Sequence, residues 1–239
     1  MEYWKLIVLF ASCFIGGMSI FFFKKENTKR IKLLLSFSGA YLFAITILHL
    51  IPEVYEAHDH SIGLFVLGGF LFQIILEQFS DGIEHGHVHH SEHSHHRFPY
   101  GIMISLCLHA FLEGMPLTQG HQNELLFGIA LHHIPAAFAL ASVLMQNKLS
   151  KNMIISMIVL FSLMSPFGYL LSNGISNGSI GDIDAYFDRI MAVVIGIFLH
   201  ISTTILFESS VDHHFNKRKL IAVLGGTAIA LAGFFMHGH

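Results

Sequence analysis

The chain has 239 residues, of which 53% are hydrophobic and only 12% charged, and its mean hydropathy is +0.61. Soluble globular proteins carry about twice that share of charge, so the composition excludes the ordinary soluble class and predicts a protein dissolved in a bilayer. The formal net charge is -3, without a block of Lys and Arg, which argues against a nucleic-acid partner.

Eight long apolar runs follow one another along the chain, each close to the roughly 20 residues that a helix needs to cross the hydrocarbon. Backbone groups in lipid must be paired within the protein, so such runs are expected to be helical. The first run lacks a basic start and a small-residue cleavage site, which indicates a permanent span rather than a signal peptide. We predict an all-α polytopic bundle with transmembrane helices at residues 5–23, 31–52, 61–79, 99–118, 123–146, 151–173, 186–208 and 219–237.

The basic residues predict the orientation of these spans. Lys and Arg gather in the connections after spans one, three, five and seven, and such connections face the cytoplasm. The connections on the other side are acidic or rich in Gly, Asn and Asp. An even number of spans then places both termini on the non-cytoplasmic side of a cell membrane. We expect one transmembrane domain over residues 1–239.

The loop at 81–98, between spans three and four, is rich in histidine. Seven of the 19 histidines of the chain lie between His85 and His96, mixed with Glu and Ser. A tract of this kind cannot form a core, and its imidazoles can bind zinc or copper loosely. A solvated linker is the alternative. We predict a metal-binding loop on the cytoplasmic side.

Spans four and five carry ionisable residues near the middle of the membrane. His109 and Glu113 are four residues apart and therefore share one helix face, while His132 and His133 lie at a similar depth in the next span. Such groups are costly in lipid and usually mark an ion path. Core histidines that hydrogen-bond across helices are the alternative. We predict that His109, Glu113 and His132 share one cation, with His133 as a further ligand.

Two prolines accompany these residues. Pro116 and Pro135 have no N–H to donate to the carbonyls of Leu112 and Leu131, so both oxygens are expected to be free beside the predicted ligands. Broken helices near the midplane recur at ion sites in transporters. A tolerated kink explains each proline equally well.

Two further sets of residues lie toward the membrane surfaces. His49 and Glu53, at the outer end of span two, repeat the four-residue spacing and can attract a cation, although interfacial anchoring explains them as well. Span seven carries His200 and ends on the cytoplasmic side at Glu208, and these residues are interpreted as ligands on the way out together with Asp212, His213 and His214. Solvation of a helix end is the alternative for the last three.

In this order, the features resemble the ZIP (Zrt/Irt-like) family, eight-helix transporters that move zinc, and in some members iron, manganese or cadmium, into the cytoplasm. The likeness covers nearly the whole chain and includes the motif from His49 to Glu53, the His-rich loop, the motif from His109 to Gly114, a histidine-led fifth span and a seventh span that ends near Glu208. The resemblance implies a transport site on spans four and five, formed by His109, Glu113 and His132.

The sequence departs from many bacterial members of that family at two positions. Those relatives have Asn and Glu where this chain has Ala110 and Ala136, and their Glu bridges two metal ions. The resemblance therefore implies a single metal site here. Imidazole nitrogen with one carboxylate and no thiolate suits zinc, and it tolerates iron, manganese or cadmium.

We expect zinc to enter the cytoplasm by alternating access without ATP, since the sequence has no phosphate-binding GxxxxGK[ST] loop. Three other functions are considered. A membrane-embedded zinc hydrolase predicts an HExxH-like set with a general base, which the sequence lacks. A haem-binding electron carrier would use paired histidines such as His109 and His132. A metal sensor would bind ions at the loop without passage. A homodimer is left open.

Overall fold

The computed structural model describes residues 2–22, 28–56, 59–80, 98–118, 122–176, 184–208 and 217–237, with only the backbone described at some helix ends. Within these ranges the chain forms helices and turns and no strand. Eight helical stretches are long and apolar enough to cross a membrane, which confirms the predicted all-α bundle of eight spans. The helices are α1 (Tyr3–Met18), α2 (Thr28–Ile45), α3 (Ile51–Tyr55), α4 (Ile62–Ser80), α5 (Tyr100–Gly114), α6 (Gln122–Gln146), α7 (Lys151–Ser176), α8 (Asp184–Glu208) and α9 (Lys217–His237).

The second span is not a uniform α-helix. A π-helical turn, Thr46–Leu50, joins α2 to α3 and contains His49. Pro52 lies two residues after this turn, and its ring has no N–H to donate to the carbonyl of Leu48. The backbone widens instead, with the N–H of Ile51 donating to the carbonyl of Thr46. One extra residue in this turn rotates His49 relative to the regular spacing on which the His49–Glu53 pattern was based.

The helices pack in two groups of four. One group contains α1, α5, α6 and α7, and the other contains α2, α4, α8 and α9; they meet where α2 packs on α6 and α4 on α5. In α6, 83% of the membrane-spanning window is buried, against 17% in α9, so α6 lies at the centre and α9 at the periphery. Apolar side chains on α4 and α9 face outward, as expected for lipid contact.

Glycines let the closest helix pairs approach backbone to backbone. A Cβ at Gly69 of α4 would clash with the carbonyl oxygen of Val193, and a Cβ at Gly196 of α8 would clash with that of Val66. The same reciprocal arrangement joins α5 to α7, where Gly114 meets the Ser165 carbonyl and Gly168 meets that of Phe111. Small residues at such crossings are the usual way to hold membrane helices together.

The α4–α8 crossing gives a test with an internal control. Gly69→Ala is expected to destabilise the fold by about 2 kcal/mol or more, because its methyl group meets a backbone carbonyl that cannot rotate away. At the neighbouring Gly68 a Cβ would meet nothing within 4 Å, so Gly68→Ala should be neutral or slightly stabilising. Thermal unfolding of both variants in detergent, followed by size-exclusion chromatography, measures the difference. Equal melting temperatures would contradict the crossing.

A polar cluster ties the connection between α3 and α4 to the start of α8. Asp59 accepts hydrogen bonds from the backbone N–H and the hydroxyl of Ser61, at 2.8 and 2.7 Å, and from Nε of Arg189 at 3.2 Å. These bonds, first those from Ser61 and then the guanidinium, lower the pKa of Asp59. The cluster fixes the end of the span that carries His49.

Candidate metal centre

Helix α5 presents His109 and Glu113 on one face, as their spacing predicts. Nε2 of His109 lies 3.3 Å from Oε1 of Glu113, and both side chains are fully buried. Among the described residues, neither ring nitrogen of His109 nor Oε1 of Glu113 has a hydrogen-bond partner. Buried polar atoms are rarely left in this state unless an ion or a water completes them. These three atoms are therefore available as ligands.

His132 of α6 completes a group of three. One ligand atom from each of His109, Glu113 and His132 lies within 4.8 Å of the others, and the three residues are the group of His, Cys, Asp and Glu that could hold a metal ion in the part of the chain described. The His109 and His132 rings meet edge to face, with centroids 5.9 Å apart. The predicted convergence of these side chains is thus present in the geometry.

His133 contacts the same carboxylate in a different way. Its Nε2 lies 2.6 Å from Oε2 of Glu113, which is the length of a charge-assisted hydrogen bond. A carboxylate can only accept, so His133 donates through Nε2, and this nitrogen cannot bind a metal at the same time. Through Nε2, His133 is therefore a hydrogen-bond partner of Glu113, and its role as a further metal ligand stays a prediction.

The distances between ligand atoms distinguish a pair that could share a metal ion from a pair joined by a hydrogen bond. Donor atoms that share one tetrahedral zinc ion are about 3.3–3.5 Å apart, because Zn–N and Zn–O bonds measure about 2.0–2.2 Å. The His109–Glu113 separation of 3.3 Å has this value, whereas the His133–Glu113 separation of 2.6 Å is too short for it. Since all three ligand atoms lie within 4.8 Å of one another, the widest pair would need to close by at most about 1.5 Å around such an ion.

The surroundings of the centre are mostly apolar. One buried cluster includes Ile129 of α6, and a second includes Leu106 and Ala110 of α5 together with Ala137 of α6, so the four polar residues lie between apolar layers. The Phe161 ring lies 6.2 Å from that of His133. Electrostatic interactions are stronger in such apolar surroundings than in water.

Helix α1 fixes the rotation of α6 at the centre. A Cβ at Gly16 would clash with the backbone of Ile134, so the two helices touch directly beside His133. The buried Cys13, one turn earlier on α1, interacts with the His133 ring. Cys13 lies within an apolar run, and no pattern in the sequence indicates this contact.

The two prolines behave differently from one another. The expectation of a free Leu112 carbonyl is wrong, since α5 tightens at its end and the N–H of Met115 donates to that oxygen. The 3₁₀ turn Met115–Thr118 that follows accommodates Pro116. Helix α6 runs through Pro135 without a break.

His49 forms a contact that the sequence did not indicate. Nε2 of His49 lies 3.3 Å from Oε2 of Glu124, the third residue of α6, and both side chains are largely buried. Glu53 lies in α3 and is partly buried. Residues 49 and 124 are distant in the chain, and no local pattern links them.

The half of the bundle away from His49 has another imidazole–carboxylate pair. Nε2 of His200 in α8 lies 2.5 Å from Oε2 of Glu77 in α4, again the length of a charge-assisted hydrogen bond. Glu208 is the last residue of α8, and its side chain lies outside the described part of the chain. The histidine-rich residues 81–97 also lie outside it.

Comparison with known proteins adds independent information. A family model described as ZIP zinc transporter matches residues 3–100 and 99–235. The chain is similar to zinc transporter ZIP9-B of Xenopus laevis, with 29% identity over 194 residues. This alignment covers 72% of the chain and 62% of the relative, so the chain spans less than two thirds of the length of that protein.

Proposed function

Because the chain belongs to the ZIP family of zinc transporters, we propose that it carries zinc across the bilayer through a midplane site formed by His109, Glu113 and His132. The observation that supports this most directly is the convergence of these three side chains, with unsatisfied ligand atoms on His109 and Glu113, at the centre of an apolar bundle. The name of the Xenopus laevis relative favours zinc. Iron, manganese and cadmium remain secondary candidates because the donor set tolerates them.

The resemblance to the ZIP family supports transport into the cytoplasm, and the charge distribution of the loops supports the orientation of the spans. We place both termini outside a cell membrane, so that the ion enters near His49 and Glu53, pauses at the central site and leaves toward Glu208 and the loop at 81–98. The chain then acts as one transporter domain over residues 1–239, with lipid around it. A homodimer stays a prediction.

The competing functions are less well supported. ZIP proteins are a transporter family, which argues against a zinc hydrolase and against a haem-binding electron carrier. In addition, Glu113, the carboxylate nearest the proposed zinc, accepts a hydrogen bond from His133, which leaves it poorly suited to act as a general base on a bound water. We expect the absorption spectrum of the purified protein to show no haem bands.

Zinc uptake by proteoliposomes tests the proposal. Vesicles that contain the protein and a trapped zinc-sensitive dye should show saturable uptake, proportional to the amount of protein and dependent on an imposed zinc gradient. Protein-free vesicles measure the leak. Binding of zinc to the protein without any flux into the vesicles would favour a metal sensor and contradict transport.

A further inference from the structure

The contact between His49 and Glu124 lies apart from the central site and joins the two groups of helices. His49 belongs to the π-helical turn of the second span, and Glu124 lies at the outer end of α6. The eight residues from Glu124 to His132 correspond to a rise of about 12 Å along α6. The pair is therefore located on the same helix as the central site, about two turns nearer the outer surface.

From this arrangement, and on the premise of the proposed function, we propose that His49 and Glu124 form a second zinc site, which captures the ion from the outer side before it reaches the central site. Their donor atoms are 3.3 Å apart, the same separation as in the His109–Glu113 pair and the value expected around one tetrahedral zinc ion. The other two imidazole–carboxylate pairs between helices, His133–Glu113 and His200–Glu77, are closer, at 2.6 and 2.5 Å, the length of a charge-assisted hydrogen bond.

The backbone around the pair is shaped to hold these two side chains. Functional sites often contain a π-helical turn, because the extra residue directs a side chain to a position that a regular helix cannot reach. On the opposite side, a Cβ at Gly233 of α9 would clash with the Glu124 carboxylate, so the glycine leaves room for it. The ring of Phe234 lies edge to face with that of His49, 5.3 Å between centroids, and restricts its rotation.

The composition of the site suits capture rather than retention. Two ligands from the described residues, His49 and Glu124, bind zinc less tightly than the three of the central site, so an ion held there can move on to that site. Because one ligand belongs to each group of helices, the site is complete only while α2 and α6 are in contact at this end.

Uptake kinetics test this site. His49→Gln and Glu124→Gln are each expected to raise the apparent KM for zinc about tenfold, while the maximal rate stays within about twofold, since the central ligands are intact. Tyr41→Phe is the matched control: its hydroxyl donates to the backbone carbonyl of Glu124 at 3.0 Å, so the variant disturbs the same place without removing a ligand. Unchanged KM values in both glutamine variants would overturn the outer site.

A thiolate at position 49 distinguishes metal binding from mere packing. His49→Cys should lower the apparent KM for cadmium relative to that for zinc by at least about fivefold, because cadmium is the softer ion and prefers sulfur. A structural contact would leave this ratio unchanged. Cadmium should also produce a thiolate-to-metal charge-transfer absorption in the His49→Cys protein that exceeds the absorption of the wild type. Adding Glu124→Gln to the His49→Cys protein should weaken this absorption.

The cadmium absorption measurement tests the outer zinc site independently of the proposed transport function. Wild-type protein without zinc uptake would contradict the proposed function, whereas the charge-transfer absorption reports the outer site whether or not transport occurs. The outer site would be refuted if the His49→Cys protein shows no added absorption and the glutamine variants have unchanged KM values. If the wild type still takes up zinc in that case, the proposed function stands.

Discussion

Glu113→Gln is expected to lower the initial rate of zinc uptake by about a hundredfold or more. Glu113 contacts His109 at 3.3 Å and His133 at 2.6 Å, so one substitution removes a ligand and the negative charge that balances the ion. The glutamine amide has the same shape, and its carbonyl can still accept the hydrogen bond from His133. The loss should therefore appear in the uptake rate with little change in the amount of folded protein.

Glu77→Gln is the matched control for that variant. It also removes a carboxylate, here partly buried, that accepts a short hydrogen bond from one imidazole, but the pair joins α4 to α8 and includes none of the proposed central ligands. We expect it to retain at least about a third of the wild-type uptake rate, with a lower melting temperature. Equal uptake by the Glu113→Gln variant and the wild type would refute the assignment of Glu113.

The adjacent histidines of α6 are expected to respond differently to the same substitution. His132→Gln should reduce uptake by about a hundredfold, because an amide is a poor replacement for an imidazole ligand of zinc. His133→Gln should reduce it by only about tenfold, because the new amide N–H can still donate to Oε2 of Glu113. Initial rates at several zinc concentrations, on equal amounts of folded protein, measure both effects.

A leucine at position 133 completes this comparison. His133→Leu cannot donate a hydrogen bond, so it should lose far more activity than His133→Gln if the role of His133 is to orient Glu113. His132→Leu and His132→Gln should be similarly inactive, since neither supplies an imidazole. A reversed order, with position 133 the more sensitive to glutamine, would mean that His133 is the ligand and His132 the orienting residue.

Much of this structure could be predicted from the sequence because the bilayer imposes simple rules. Apolar length alone located eight spans, and the structure confirms them with boundaries that differ by a few residues. His109 and Glu113 could be paired because residues four apart on a helix share a face. Their distance of 3.3 Å follows from local geometry.

Contacts between helices could not be predicted in the same way. His132 and His133 are neighbours in the chain, and which one turns toward the group of three depends on the rotation of α6, which the contact between Gly16 and Ile134 fixes. The His49–Glu124 and Glu77–His200 pairs join residues on different helices, far apart in sequence. No periodicity of one helix contains that information.

Local expectations failed where the backbone left regular α-helical geometry. A free Leu112 carbonyl was expected from Pro116, but a tighter turn gave it a new donor in Met115. The His49–Glu53 pattern assumed 3.6 residues per turn, whereas the chain forms a wider turn around His49. A proline is involved in both cases, Pro116 in the first and Pro52 in the second. The backbone near each proline leaves regular α-helical geometry, because proline has no N–H for the usual helical hydrogen bond.

The most direct test of the central site is zinc uptake by proteoliposomes that contain the double variant His109→Ala and His132→Ala, compared with wild type at equal density. Removing both imidazoles should leave Glu113 as the last of the three proposed ligands, and zinc flux should fall to the level of protein-free vesicles. Saturable uptake at the wild-type rate in this variant would show that zinc crosses the protein elsewhere.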